Sequence, residues 1–305
     1  MVIIGISYIF RNLMIDLNEP TSVVANDAGG ANQIVSFLRN NINKKTSIQP
    51  YMNGPAKKIW QLNFPEIHLA NSIENAVVGT KTLISGTGWQ TDIEKKARAD
   101  AKKNKIKSIA FLDHWVNYKE RFIYKNTLQM PDELWVVDRY AFEIATNKFS
   151  NIPIKIVDDF YLKDQLKLIN EPALEYNQLL YILEPIRDNW GKSIQGEFQA
   201  LDYFFRNIHK LELPENTIIV LRPHPSESRS KYEIYIKKNH DYEVKIESDN
   251  TTLANSISSS KWVVGCQSYA MSIAIAANRN VICSLPPAAP YCKLPHINIK
   301  HLKEI

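Results

Sequence analysis

From Thr21 onward, short runs of β-branched and apolar residues alternate with longer stretches of helical pattern. Parallel strands cannot be joined by tight turns and need crossover connections, which helices supply, so this alternation predicts an α/β fold built on parallel sheets. Strands are predicted at 22–25, 82–85, 108–112 and 133–137, and again at 179–183, 217–221, 262–264 and 280–284. Helices are expected at 31–39 and 92–103 in the first series, and at 195–208, 252–258 and 268–277 in the second. A polar, charged stretch around 158–171 separates the series and divides the 305-residue chain into an N-terminal unit, 1–165, and a C-terminal unit, 166–305. Each is long enough to bury a core without disulfides or a structural metal. The expected fold class is α/β, with two Rossmann-like domains facing a cleft.

Charge and cysteine content narrow the function. The 37 basic and 32 acidic residues give a net charge of +5, too mild a bias for a nucleic-acid binder, so no nucleic-acid partner is expected. Part of the excess lies in Lys95, Lys96, Arg98, Lys102, Lys103, Lys105 and Lys107. That stretch reads as a solvated helix face or as a surface for an anionic membrane or an acidic glycan. Cys266, Cys283 and Cys292 form neither a disulfide framework nor a CxxC pair, which implies a reducing, cytoplasmic setting. No run of about 18 apolar residues exists. Residues 1–15 are apolar, interrupted by Arg11, and lack the marks of a secretory leader; they read as a packed or interfacial extension that would allow peripheral contact with the inner membrane face. HExxH, His/Cys clusters and Asp-x-Asp are missing from the sequence, so neither a metal nor another cofactor is expected.

In open α/β sheets, ligands bind beyond the carboxyl ends of the strands, where loops feed helix N-termini. Directly after the predicted strand 217–221 comes Arg222-Pro223-His224-Pro225-Ser226-Glu227. Two prolines stiffen the turn around His224, and Arg222 has the planar fork that suits phosphate or carboxylate. The alternative is that His224 serves a local hydrogen-bonding turn. The segment Val264-Gly265-Cys266-Gln267-Ser268-Tyr269-Ala270-Met271-Ser272 leads from a strand through a glycine turn into an apolar helix. Its first-turn amides suit an anion, with Ser268 and Ser272 as hydroxyl donors; a plain serine N-cap is the competing interpretation.

In the first half, Asn26-Asp27-Ala28-Gly29-Gly30 sets a carboxylate in a glycine turn, where Asp27 is either a general base or the cap of its helix. It does not match GxGxxG, so a dinucleotide fingerprint is unsupported. Ser85-Gly86-Thr87-Gly88-Trp89 follows another strand as a ligand-facing turn, Gly86 and Thr87 lying at its centre. Asp113-His114-Trp115-Val116-Asn117-Tyr118 ends a third. There Asp113 and His114 are candidates for activating a hydroxyl, and Trp115 and Tyr118 for stacking on an acceptor sugar, unless the aromatics simply pack.

The Arg-Pro-His-Pro segment, followed about forty residues later by a strand, a serine-bearing turn and an apolar helix, resembles bacterial glycosyltransferases of the GT-B type. The nearest are those using cytidine-activated donors: sialyltransferases and polysialyltransferases, capsule Kdo transferases and CDP-glycerol glycerophosphotransferases. The resemblance is carried mainly by residues 177–290. It implies that His224 and Pro225 form the family's His-Pro motif, holding the donor phosphate. Its serine motif falls on Ser268, with Ser258, Ser259 and Ser260 as a competing match, and its base falls on Asp27, with Asp113 as second choice. The function implied is metal-independent, inverting transfer of an acidic sugar, nonulosonic or Kdo, from a CMP-activated donor to a surface glycan or glycolipid. His224, Arg222 and the amides near Ser268 would then converge on one phosphoryl group, stabilising charge that grows in the transition state. Two other classes share the architecture: a nucleotide-sugar 2-epimerase or hydrolase, which needs further acids and a histidine facing the sugar from both halves, and a non-catalytic nucleotide-sugar-binding module.

Overall fold

Each half of the chain folds around a six-stranded parallel sheet in the computed structural model, which describes residues 20–41, 46–172, 177–237 and 241–305. The extension 1–15 lies outside the described residues. In the first half the strands are β1 (Thr21–Ala25), β2 (Ile48–Met52), β3 (Thr82–Ser85) and β4 (Lys107–Leu112), then a small antiparallel hairpin of β5 (Ile123–Tyr124) and β6 (Thr127–Leu128), then β7 (Glu133–Val136) and β8 (Ile154–Ile156). The crossovers are α1 (Ala28–Asn41), α2 (Gly54–Asn63), α3 (Ile73–Val77), α4 (Ile93–Lys103) and α5 (Arg139–Lys148), and α6 (Phe160–Leu168) leads out of the half. The second half has β9 (Gln178–Ile182), β10 (Ile218–Arg222), β11 (Glu243–Ile246), β12 (Trp262–Gly265), β13 (Asn280–Cys283) and β14 (Lys300–His301), with α7 (Gly196–Asn207), α8 (Glu233–Lys237), α9 (Leu253–Ser258) and α10 (Tyr269–Ala276).

The sheet orders are β2-β1-β3-β4-β7-β8 and β11-β10-β9-β12-β13-β14. Each reverses direction once, between β1 and β3 and between β9 and β12, and such a reversal opens a crevice beyond the strand ends where ligands bind. The eight strands predicted from the sequence are the interior ones. Those it did not reveal, β2, β8, β11 and β14, are the four edges. Interior parallel strands are buried on both faces and read as continuous apolar runs, whereas edges are short and mixed. Pro50 in β2 is tolerated because that strand lies at an edge.

The polar stretch that separates the two series is helix α6, which packs against α1 of the first half and α9 and α10 of the second. One apolar cluster crosses between the halves, joining Leu112, Trp115 and Val136 to Met271 and Ile273. Among the described residues no helix is long and apolar enough to cross a membrane. The basic stretch is not one solvated face: Lys95 and Arg98 turn inward with Glu94, Ala97 and Ala101, the spacing of a buried helical stripe.

Candidate active site at the facing strand ends

The first-half crevice is built by the loops after β1, β3 and β4. Asp27 follows β1 and accepts the Gly30 N–H at 2.8 Å, so it caps α1 as well as facing the crevice. Glu94, fully buried in the first turn of α4, accepts the Asn26 N–H at 2.8 Å through one oxygen; the other has no partner among the described residues. Asp113, after β4, pairs with Arg121 at 2.9 Å. Glycine is required where these groups meet. A Cβ at Gly29 would lie 2.0 Å from Asp113, and one at Gly88 would lie 2.7 Å from Asp27 and 3.3 Å from both Glu94 oxygens. Gly86 and Gly30 also touch across the same gap.

Two buried arginines hold these loops in place. Arg98 donates to Ser85 Oγ and the Gly86 carbonyl at 3.0 Å each and to the Arg121 carbonyl at 2.9 Å; burial lowers its pKa to about 10. Arg121 donates to the Thr87 carbonyl and to Asp113, both at 2.9 Å. Thr87 is thus a loop anchor, its hydroxyl donating to the Phe111 carbonyl at 2.8 Å.

Three carboxylates in one dry site compete for charge. Burial, then the repulsion of Asp113 and Glu94, raises the pKa of Asp27 from 3.8 to about 8, and burial also raises that of Glu94. A shift of this size and direction favours the protonated form of Asp27 near neutral pH. Asp113 is held beside it by Arg121.

His114 is not a proton-transfer group in this arrangement. Its Nδ1 accepts the Trp115 N–H at 2.9 Å and its Nε2 lies 3.0 Å from the Gln267 carbonyl of the other half, while burial pushes its pKa down to about 4. Trp115 and Tyr118, expected to stack on an acceptor, are buried core residues. Trp115 donates to Asp138 at 2.9 Å and Tyr118 stacks on Phe149. Trp89, the chain neighbour of Gly88, is exposed.

In the second half, the switch point between β9 and β12 carries an internal carboxyl group. Glu184, just beyond β9, accepts the N–H groups of Cys266 at 2.9 Å and Gln267 at 2.8 Å, and a further backbone bond from Ser268. Burial raises its pKa to about 7. The amides expected to cradle a ligand phosphate thus hold a carboxylate of the chain itself. Ser268 caps α10, accepting from Ala270 at 3.3 Å; Ser272 is buried, its hydroxyl unpartnered among the described residues; a Cβ at Gly265 would press on Met271. Tyr269 donates to Asp159 and stacks between Trp115 and Tyr161.

Arg222 is likewise occupied, joining Glu247, the Thr251 carbonyl and Ser256. His224 accepts the Ser226 N–H at 3.2 Å through Nδ1, which also lies 2.8 Å from the Ser226 hydroxyl, the local turn device weighed from the sequence; Pro225 and Ser226 are exposed. β10 and β12 flank β9, so His224 and Ser268 start from strands roughly 10 Å apart, with Glu184 on the strand between them. Ser258 and Ser260 bond to carbonyls of α9 just before β12 begins, at the amino ends of the strands and away from the crevice. Among the described residues no group of three His, Cys, Asp or Glu side chains is arranged to hold a metal ion.

The sequence pointed to Asp27, Asp113 and the glycine turns but not to Glu94, Arg98, Arg121 or Glu184. The four-residue step from Glu94 to Arg98, continued by Ala97 and Ala101 on the same face, was the signal available for the first two.

No protein-family model and no curated protein matches the chain. Solved structures do. A Staphylococcus aureus MnaA structure with UDP aligns with a TM-score of 0.63 at 10% identity, covering 87% of this chain and 79% of its own. A UDP-GlcNAc 2-epimerase from Neisseria meningitidis bound to UDP-GlcNAc gives 0.60 at 10% identity, with 87% and 82% covered. A further UDP-N-acetylglucosamine 2-epimerase gives 0.55 at 8%, with 87% and 78% covered. The likeness shows the fold, two Rossmann-like units in the GT-B arrangement. It also overturns the expectation of acidic-sugar transfer from a CMP-activated donor, because these neighbours are named for UDP and UDP-GlcNAc.

Proposed function

We propose that the protein is a nucleotide-sugar 2-epimerase acting on a UDP-linked N-acetylhexosamine. The observation that carries this is the Asp27–Glu94–Asp113 cluster at the first switch point, with the Asp27 pKa raised to about 8 and Asp113 held by Arg121. The neighbours' names support the choice of a UDP-linked substrate.

Inverting C2 of a sugar needs a proton removed from one face and returned to the other. No carbonyl acidifies that C–H bond, so its loss is coupled to departure of the diphosphate. As a base takes the C2 proton, the C–H electron pair becomes the C1–C2 double bond, and the C1–O pair leaves with the diphosphate. Re-addition of the diphosphate at C1, with proton delivery at C2 from the opposite face, completes inversion. In this reading Asp113 serves as the base and Asp27, which the sequence offered as the base, serves as the acid.

The test is incubation with UDP-GlcNAc in D2O, followed by proton NMR. The expected result is formation of the C2 epimer with deuterium at C2. Free sugar and UDP without deuterium at C2 would show a hydrolase instead, and unchanged UDP-GlcNAc would refute the proposal.

A further inference from the structure

Two partly buried groups at the cleft, His114 and Glu184, take no part in the chemistry proposed above, yet both grip one residue. Trp115 N–H donates to His114 Nδ1, which fixes the ring proton on Nε2; Nε2–H then donates to the Gln267 carbonyl at 3.0 Å, from one half of the chain to the other. On its other side Gln267 donates its N–H to Glu184 at 2.8 Å, beside the Cys266 N–H at 2.9 Å. We infer that the backbone of Gln267 is a clasp across the cleft, with Glu184 and His114 as positioning residues that hold the Asp113 loop in register with the second half.

The physical argument runs through the unpaired groups at a helix start. The turn 266–268 precedes α10, and its amides have no helical partners. Filled by the Glu184 carboxylate, they are pinned, and so the direction of the Gln267 carbonyl is pinned as well. That carbonyl receives the only proton of a histidine whose other nitrogen is already used, so His114 has one orientation. Asp113 is its chain neighbour and pairs with Arg121 within the first half. A shift of His114 would therefore move the carboxylate assigned as base. Because the clasp uses main-chain atoms of Gln267, its side chain is irrelevant to it.

Amide hydrogen exchange read by mass spectrometry tests this without any turnover, so its failure is separate from failure of the 2-epimerase proposal. Glu184→Ala and His114→Ala are each expected to speed exchange both in 107–122 and in 262–272, by between about two- and tenfold, the range of one lost hydrogen bond. Coupling between sites is reciprocal, so each variant must affect the other half. Glu184→Gln keeps a carbonyl acceptor and should restore wild-type protection, and Gln267→Ala should leave both segments unchanged. Faster exchange confined to 107–122 in His114→Ala, or to 262–272 in Glu184→Ala, would overturn the clasp. Should Glu184→Ala lose protection throughout the chain, His114→Ala and the Glu184→Gln rescue decide the matter alone.

Discussion

Replacing Asp27 by Asn probes the electrostatics of the first crevice most directly. The Asn oxygen can still accept the Gly30 N–H that Asp27 accepts at 2.8 Å, so the cap of α1 survives while a titrating group beside Glu94 and Asp113 disappears. With its pKa raised from 3.8 to about 8, Asp27 keeps in the native state a proton that the unfolded chain releases above about pH 4. The native state binds more protons across that window, so its stability falls as pH rises through it. One proton corresponds to about 1.4 kcal/mol per pH unit, or about 2.7 kcal/mol between pH 5 and pH 7. At roughly 2–4 °C per kcal/mol for a unit of this size, wild type should lose about 5–10 °C of Tm over that interval through Asp27 alone. Scanning calorimetry at both pH values should therefore show a Tm drop smaller by that amount in Asp27→Asn. The variant should also melt above wild type at pH 7 while losing activity, as expected where a site holds strain for function. Parallel Tm–pH lines for the two proteins would refute the protonated Asp27 and its role as acid.

Other perturbations separate ligand, loop and ion pair. In a thermal-shift panel, UDP should stabilise the protein by roughly 2.7 kcal/mol at 100 times its dissociation constant; an equal or larger shift with CMP or CDP would count against the UDP-linked substrate. Gly29→Ala puts a methyl group 2.0 Å from Asp113 Oδ2, displacing the carboxylate by about 1 Å. Activity should fall on the order of a hundredfold with circular dichroism unchanged, and near-normal turnover would remove Asp113 from the mechanism. Arg121→Met leaves Asp113 buried without its counter-ion and strips the Thr87 and Val116 carbonyls of a donor. A loss of about 3–5 kcal/mol in calorimetric stability is expected, and a neutral result would show that the pair does not order these loops.

The sequence by itself determined the α/β class, the two halves and the eight interior strands, because strands buried on both faces and joined by helical crossovers leave a pattern that local chemistry alone can write. It also marked the strand-end loops, through the glycines that let Asp27 and Asp113 approach the backbone and the prolines around His224. The edges were hidden, since β8 and β14 have three and two residues and β2 and β11 carry partly exposed positions that break an apolar run. The tertiary structure alone decided what the marked residues do. Arg98 and Glu94 sit in a stretch that reads as a basic surface and turn out to be buried behind the crevice loops, which they bond; Trp115 and Tyr118 read as a ligand platform and are core. The amides before α10 could serve any anion, and only the folded chain shows that Glu184, some 80 residues earlier, fills them. Charge, pKa and hydrogen-bond partners depend on distances between segments remote in sequence, and these exist only once the two sheets face one another.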